Sequence, residues 1–518
     1  MGCKIKWTLC AGTAFVLRCR KSGRVFLLFC HVLGSAGVLH IVLGTMRYFQ
    51  NPYVGPHGEV PSSTPLPSVD DFAQMASDMV KDCFQVSCRK ISIHDGGLYV
   101  GGIGVAWAAL RVMQRLGEKG FEAFLPQVRK YIEGIVNKAA QDAPRDTEER
   151  LSFLLGMPGV WLTAAYLYQL SGEVVERDRF LGLYAQLAPV FASLQPGNTK
   201  VIFSQGSDEF FIGRAGYLCG LHELRKVTSE AVVSDETIFA ICDAIIDSGR
   251  AYAKRHYSQC PLMFAYHGTE YLGAAHGLAG ILFALLLFPQ YLQTHKAAAE
   301  AVRAAVDYLI AVTPPDTGNL PVATDELPPH RRSASDELVH WCHGDAGVVY
   351  VYARAYVLWK DEKYLREVVR CADVAWHKGL LKKGPGLCHG VAGSGYTQLA
   401  ALRVTGEQRY AERARACAAF LHSEVFLREA RRPDNPASLF EGRAGTSLFL
   451  ADLTHPELAA FPFMDPFEIV CEEGHYWRLM SPPAEVAALA VVLSSRWEIY
   501  LAMVGRIILE KVANLLMQ

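Results

Sequence analysis

Clusters of like charge are scarce in this chain of 518 residues, and its charges nearly cancel, with 51 lysines and arginines against 52 aspartates and glutamates. Nucleic acid is thereby excluded as a main partner, because a surface that tracks phosphates needs a basic block. Good runs of alternating apolar and polar residues are also wanting. That excludes a β-sheet core and leaves room only for short strands in loops. No Cys-x-x-Cys clip occurs, although such clips usually mark a four-ligand structural zinc site. The 14 cysteines are too dilute for a disulfide scaffold, and Cys219, Cys242, Cys371 and Cys417 lie in apolar helical stretches suited to buried, reduced thiols. A reducing compartment, the cytoplasm, is the expectation.

What is present begins with a 51% hydrophobic composition, enough for a large core. Residues 1–24 are basic, carrying Lys4, Lys6, Arg18, Arg20, Lys21 and Arg24, and residues 25–44 (VFLLFCHVLGSAGVLHIVLG) are nearly all apolar. That stretch has the length of a membrane span with a basic flank, although His31, His40 and three glycines weaken it. It is the candidate for membrane anchoring or peripheral association. Residues 1–45 and 471–518 read as segments appended to a central unit, 46–470, because the repeat described next runs only through the middle.

That repeat is Gly-x-x-Gly followed by an apolar, helix-like run. It starts at Gly101, Gly156, Gly213, Gly277, Gly344, Gly390 and Gly442, so successive starts are 55, 57, 64, 67, 46 and 52 residues apart. A bare Gly-x-x-Gly pair is common by chance; seven at near-regular spacing, each with an apolar run behind it, are not. Amphipathic helices fill the intervals. In 362–376, Leu365, Val368, Val369, Ala372 and Ala375 share one helical face. Each repeat thus supplies one amphipathic and one mostly apolar helix. The fold class that follows is all-α: a seven-fold, double-layered α/α toroid with the apolar helices inside. All seven glycine loops then converge on one face, where sites are built.

Three of those loops carry metal-type side chains: GAAHG with His276, WCHG with Cys342 and His343, and LCHG with Cys388 and His389. Two thiolates and an imidazole, Cys342, Cys388 and His389, make a zinc set with one position open, the mark of a catalytic site. The two cysteines are one repeat apart, so they meet only if neighbouring loops converge. His276, in the adjacent loop, suits a general acid or base facing the open position. Lys382, Lys383, Arg431 and Arg432 surround these loops in sequence and suit a carboxylate-bearing substrate.

The stretches EYLGAAHGLAGI, ELVHWCHGDAGV, LLKKGPGLCHGVAG and RRPDNPASLFEGRAG resemble the eukaryotic LanC-like proteins, which are themselves similar to bacterial lanthipeptide cyclases. The resemblance runs from Met46 (MRYFQNPY) to about Phe463, ending near a Phe-Pro segment, here Phe461 and Pro462. It implies one zinc ion on Cys342, Cys388 and His389, and an acid/base role for His276. It also implies glutathione contacts at Arg47, Lys383, Arg431, Arg432, Pro433 and Asp434. The activity implied is addition of glutathione to dehydroalanine or dehydrobutyrine in proteins or peptides, kinases among them, with formation of a thioether. The alternative is a non-catalytic glutathione-binding or signalling protein with a structural zinc. The apolar helices are too short and too interrupted by polar residues to be seven membrane spans.

Overall fold

The computed structural model describes residues 7–9, 14–18, 25–29, 46–117, 121–142, 146–193, 206–228 and 230–467. A unit covering 469–518 lies outside the described residues, as do 468–470 of the central unit expected at 46–470.

Fourteen helices build the double ring. Seven are outer: α1 (Val69–Ser87), α3 (Leu125–Gln141), α5 (Val174–Ala185), α7 (Asp235–Arg255), α9 (Lys296–Val312), α11 (Glu362–Lys378) and α13 (Gln408–Phe420). Seven are inner: α2 (Gly102–Leu116), α4 (Met157–Leu170), α6 (Arg214–Leu224), α8 (Leu278–Leu286), α10 (Asp345–Trp359), α12 (Val391–Thr405) and α14 (Arg443–Asp452). Each inner helix packs on the next, and α14 packs back on α2, which closes the circle.

Local chemistry explains why the two layers differ. Outer α1 opens on a capping box: Ser68 accepts from the Asp71 N–H, and the Asp71 carboxylate accepts from the Ser68 N–H. It buries only one stripe, Phe72, Ala76, Val80, Cys83 and Phe84. In α11 the buried stripe includes Val368, Ala372 and Ala375 as expected. It is turned toward Tyr364, Cys371 and Trp376, leaving Leu365 and Val369 half-buried, because the two large rings fill the space against the inner layer. The inner helices bury almost every residue; α8 is covered all round.

Every inner helix starts on the residue after the first motif glycine, which is its N-cap. The second motif glycine is required by close approach rather than by unusual dihedrals. A Cβ at Gly347 would collide with the Trp341 carbonyl, and one at Gly393 with the Leu387 carbonyl. The loop therefore folds back over the first turn of its own helix. Gly347→Ala should destabilise the protein by about 1–3 kcal/mol, as overpacking does. A lower chemical-denaturation midpoint would register this; an unchanged midpoint would show that the loop can give way.

After α14 the chain turns into the bore of the ring. Phe461, Phe463 and Met464 are buried there, with Phe461 stacked on Trp341 at 5.1 Å and Phe463 edge-on to Phe153 at 5.1 Å. The Trp341 indole N–H donates to Met464 Sδ at 3.1 Å, so this segment forms a floor directly beneath the Cys342 loop.

Near the N-terminus, Trp7–Leu9, Ala14–Arg18 and Val25–Phe29 form a small antiparallel sheet in the order β1-β2-β3. The first residues of the expected membrane span, Val25 to Phe29, thus pair as a strand. A short apolar run rich in valine and phenylalanine is compatible with either structure. Residues 30–44 lie outside the described residues, and no described helix is long and apolar enough to cross a membrane.

Candidate metal centre

The loops that precede the inner helices share one register. Two residues before the first motif glycine stand Tyr99, Leu154, Phe211, Ala275, Cys342, Cys388 and Phe440. Main-chain hydrogen bonds at this position join the loops around the rim. Tyr99 donates to Leu154 (3.0 Å), Leu154 to Phe211 (3.1 Å), Ala275 to Cys342 (3.5 Å), Cys342 to Cys388 (3.3 Å), Cys388 to Phe440 (2.8 Å) and Phe440 to Tyr99 (3.2 Å). Between the third and fourth loops the joint is made by side chains. His276 Nδ1 lies 2.6 Å from Glu209 Oε1, while Glu209 Oε2 accepts from the N–H groups of Phe211 (2.7 Å) and Ile212 (2.8 Å). The belt converts sequence register into spatial convergence.

Convergence brings the cysteines together. The donor atoms of Cys342, Cys388 and His389 all lie within 4.8 Å of one another. With metal–sulfur bonds of about 2.3 Å and metal–nitrogen bonds of about 2.0–2.1 Å, tetrahedral donors stand roughly 3.5–4 Å apart, so the set fits a zinc ion after small adjustments. Both thiols are buried and His389 is half-buried. Burial pushes the Cys388 thiol well above its ordinary value, so a thiolate at this place needs a cation beside it.

Two further groups touch the set. The Tyr99 hydroxyl donates to Cys388 Sγ at 3.2 Å, and His340 Nδ1 lies 3.9 Å from Cys342 Sγ. Burial holds the His340 imidazole well below its usual range, and the positive charge of Lys383 and Arg47 adds to this. His343 is pushed down to about 4 by burial, with His276, Arg332 and Lys383 contributing. Both rings are neutral at pH 7.

His276 stands at the edge of this group. Its ring stacks on Tyr266 at 4.8 Å, lies 4.6 Å from Phe211 and 6.2 Å from His343, and keeps a side-chain exposure of 23%. Glu209 behind it is buried; burial raises its carboxyl, and the hydrogen bond and charge of His276 act against that rise. Glu209, Tyr99 and His340 were not singled out from the sequence. Tyr99 had a usable signal, since it holds the same place in its loop as Cys342 and Cys388.

The basic residues gather on one side of the rim. The Lys382 N–H donates to the Arg47 carbonyl at 3.0 Å, and the Arg431 N–H to the Lys382 carbonyl at 2.7 Å, so three distant segments run side by side. Pro433 packs against Gly384, next to Lys383. Arg47 pairs loosely with Asp336 (3.6 Å) and Arg431 with Asp434 (3.0 Å). Arg47 is about half exposed, and Lys383, Arg431, Arg432 and Asp434 are exposed to solvent. Arg332, which acts on His343, belongs to the same field and was not anticipated.

A closed double ring of helices with thiols and an imidazole on one rim defines an all-α toroid with a metal-type site. The solved structure of nisin cyclase shares this fold: it matches with a TM-score of 0.57 over 79% of this chain and 97% of that one, at 16% sequence identity. The family described as lanthionine synthetase C-like protein matches residues 76–465. Glutathione S-transferase LANCL1 of Danio rerio is 32% identical over 436 residues, 81% of this chain and 99% of that protein. LanC-like protein GCL1 of Arabidopsis thaliana is 34% identical over 322 residues, 61% of this chain and 71% of that protein. The chain belongs to the lanthionine synthetase C-like family.

Proposed function

We propose that this chain is a zinc-dependent enzyme that adds the thiol of glutathione to dehydroalanine or dehydrobutyrine residues in proteins, forming a thioether. The observation that carries the reading is one rim on which three metal donors meet beside a carboxylate-held histidine. The relative from Danio rerio, named a glutathione S-transferase, supports it.

Zinc held by Cys342, Cys388 and His389 would supply the positive charge that keeps a thiol deprotonated near neutral pH. The rest falls to the chain. Attack of the sulfur on the β-carbon forms the carbon–sulfur bond and sends the alkene electron pair into an enolate. With Nδ1–H turned to Glu209, the Nε2 of His276 takes up the proton lost by the thiol and, as the imidazolium, delivers it to the α-carbon, which completes the thioether. Glu209 fixes the ring and its tautomer. Arg47, Lys383, Arg431 and Arg432 pair with the carboxylates of glutathione; Pro433 and Asp434 shape that edge, Asp434 by orienting Arg431. The protein substrates are chains in which phosphoserine or phosphothreonine has lost its phosphate, kinases among them, and the thiol chemistry suits the cytoplasm.

The test is metal analysis paired with mass spectrometry on one preparation given glutathione and a dehydroalanine peptide. One equivalent of zinc and a peptide–glutathione adduct are expected. Cys342→Ala and Cys388→Ala should each lose the metal, since two ligands are too few for a tight site. Bound zinc without any adduct would favour the non-catalytic glutathione binder, and full metal content in either variant would show that the ligand set is wrong.

A further inference from the structure

Tyr99 does more in this rim than pack. It stands in the first glycine loop, 289 residues from Cys388, at the loop position that the two cysteines occupy in theirs. Its ring lies between Phe211 (4.7 Å) and Phe440 (5.1 Å, stacked), and those two belong to the same register. The aromatic members of the register therefore form an apolar surface inside the rim. Tyr99 alone among these three carries a polar atom, and that atom is aimed at a sulfur.

The surroundings make the contact selective. Cys388 is 2% exposed and its main chain is fixed on both sides, donating to Phe440 and accepting from Cys342 and Trp341. A buried sulfur carrying negative charge needs donors, and the Tyr99 hydroxyl lies within reach of this one. The phenol carries one O–H donor, and that donor is spent on Cys388 Sγ.

We propose that Tyr99 is a positioning residue for the metal, whose hydroxyl donates a hydrogen bond to Cys388 Sγ and so holds this sulfur in the orientation the zinc ion requires and tempers its electron donation. The proposal rests on the reading of Cys342, Cys388 and His389 as the metal set. A hydrogen bond to a ligand sulfur draws electron density away from it and limits the charge it passes to the metal. Partners of this kind typically change metal affinity by about 10–100-fold when removed.

The experiment compares the full-length protein with Tyr99→Phe, both loaded with cobalt(II), by absorption spectroscopy and by competition with a chelator for zinc. Tyr99→Phe keeps the ring between Phe211 and Phe440 and deletes only the hydroxyl. It should still bind one equivalent. Its sulfur-to-cobalt charge-transfer band should move to longer wavelength, because the more electron-rich sulfur gives up charge more easily, and its zinc affinity should fall by about tenfold or more. Phe440→Leu serves as the packing control, since it removes the stacked ring and leaves the hydroxyl; its band should stay in place. An unchanged band and affinity in Tyr99→Phe would overturn the assignment, as would an equal shift in both variants, which would trace the effect to packing. Failure of the wild type to take up cobalt or zinc at all would instead overturn the metal set itself.

Discussion

His276→Ala is expected to retain its zinc and its glutathione affinity while losing about 10²–10⁴-fold in the rate of thioether formation, the usual contribution of a positioned acid or base. His276 is outside the cluster of three donors, so it supplies no ligand to the proposed set. Its contribution is geometric. Glu209 Oε1 at 2.6 Å holds Nδ1 and the Tyr266 ring covers one face, which leaves Nε2 for the proposed proton delivery. The readouts are zinc content, glutathione binding and adduct yield by mass spectrometry on one preparation of the variant. Loss of zinc would make His276 a structural support of the site, and normal turnover would make it a packing histidine. Glu209→Gln separates orientation from acidity: the amide can still hold the ring but carries no charge, so a smaller rate loss than that of His276→Ala is expected.

The pair has a second consequence, because it closes the one junction of the rim where the main-chain belt gives way to side chains. Glu209 spends one oxygen on the N–H groups of its own loop and the other on His276. Variants here are therefore best read by metal content and rate together, since a loosened junction would lower both.

How much of this was legible in the residues divides along a clear line. Whatever is written within one repeat could be read: the glycine that caps each inner helix, the apolar run behind it and the polar-faced helix between repeats all have local causes. The approach of Cys342 to Cys388 also followed, since equal places in consecutive repeats meet when a ring closes. What could not be read depends on which side chains reach across the rim. Nothing in SDEFFIG points to His276, which is 67 residues away, and Glu209 looks like any loop carboxylate until its two main-chain partners are seen. Tyr99 is a different case, because aligning the seven loops on their first glycine places it with the cysteines. The segment after α14 was visible only as an ending near Phe461 and Pro462. Its apolar residues have no helical period, since they fill a bore and not a face. Val25 to Phe29 show the opposite limit: a short apolar stretch does not declare whether it will be strand or helix.

The same segment carries the largest stability effect expected of a single residue. Asp465 is buried, with Arg403 at 2.9 Å and Lys226 at 3.7 Å, and it accepts the Phe467 N–H at 3.2 Å. Burial alone would raise its carboxyl, but Arg403 and Lys226 win and hold it below the usual carboxylate range. Replacing it with asparagine keeps the shape and removes the charge that neutralises one buried and one partly buried cation. Breaking such a set from one side costs about 3–5 kcal/mol. Arg403 keeps the Ala459 carbonyl at 2.8 Å and Lys226 keeps Glu223 at 2.8 Å, so Asp465→Asn should fall near the lower end, about 3 kcal/mol. The pH dependence has a definite sign. A carboxyl whose folded pKa is depressed stabilises the protein above its unfolded value of about 3.9, and that contribution disappears as the pH falls through the lower, folded value. Denaturation midpoints of wild type and Asp465→Asn should therefore differ most at pH 7 and converge below about pH 4, as the wild-type carboxyl takes up its proton. A gap of the same size at both pH values would mean that the asparagine disturbs packing in the bore. No gap at pH 7 would show that the two cations find other partners, and that the floor under the Cys342 loop is held by Phe461, Phe463 and Met464 alone.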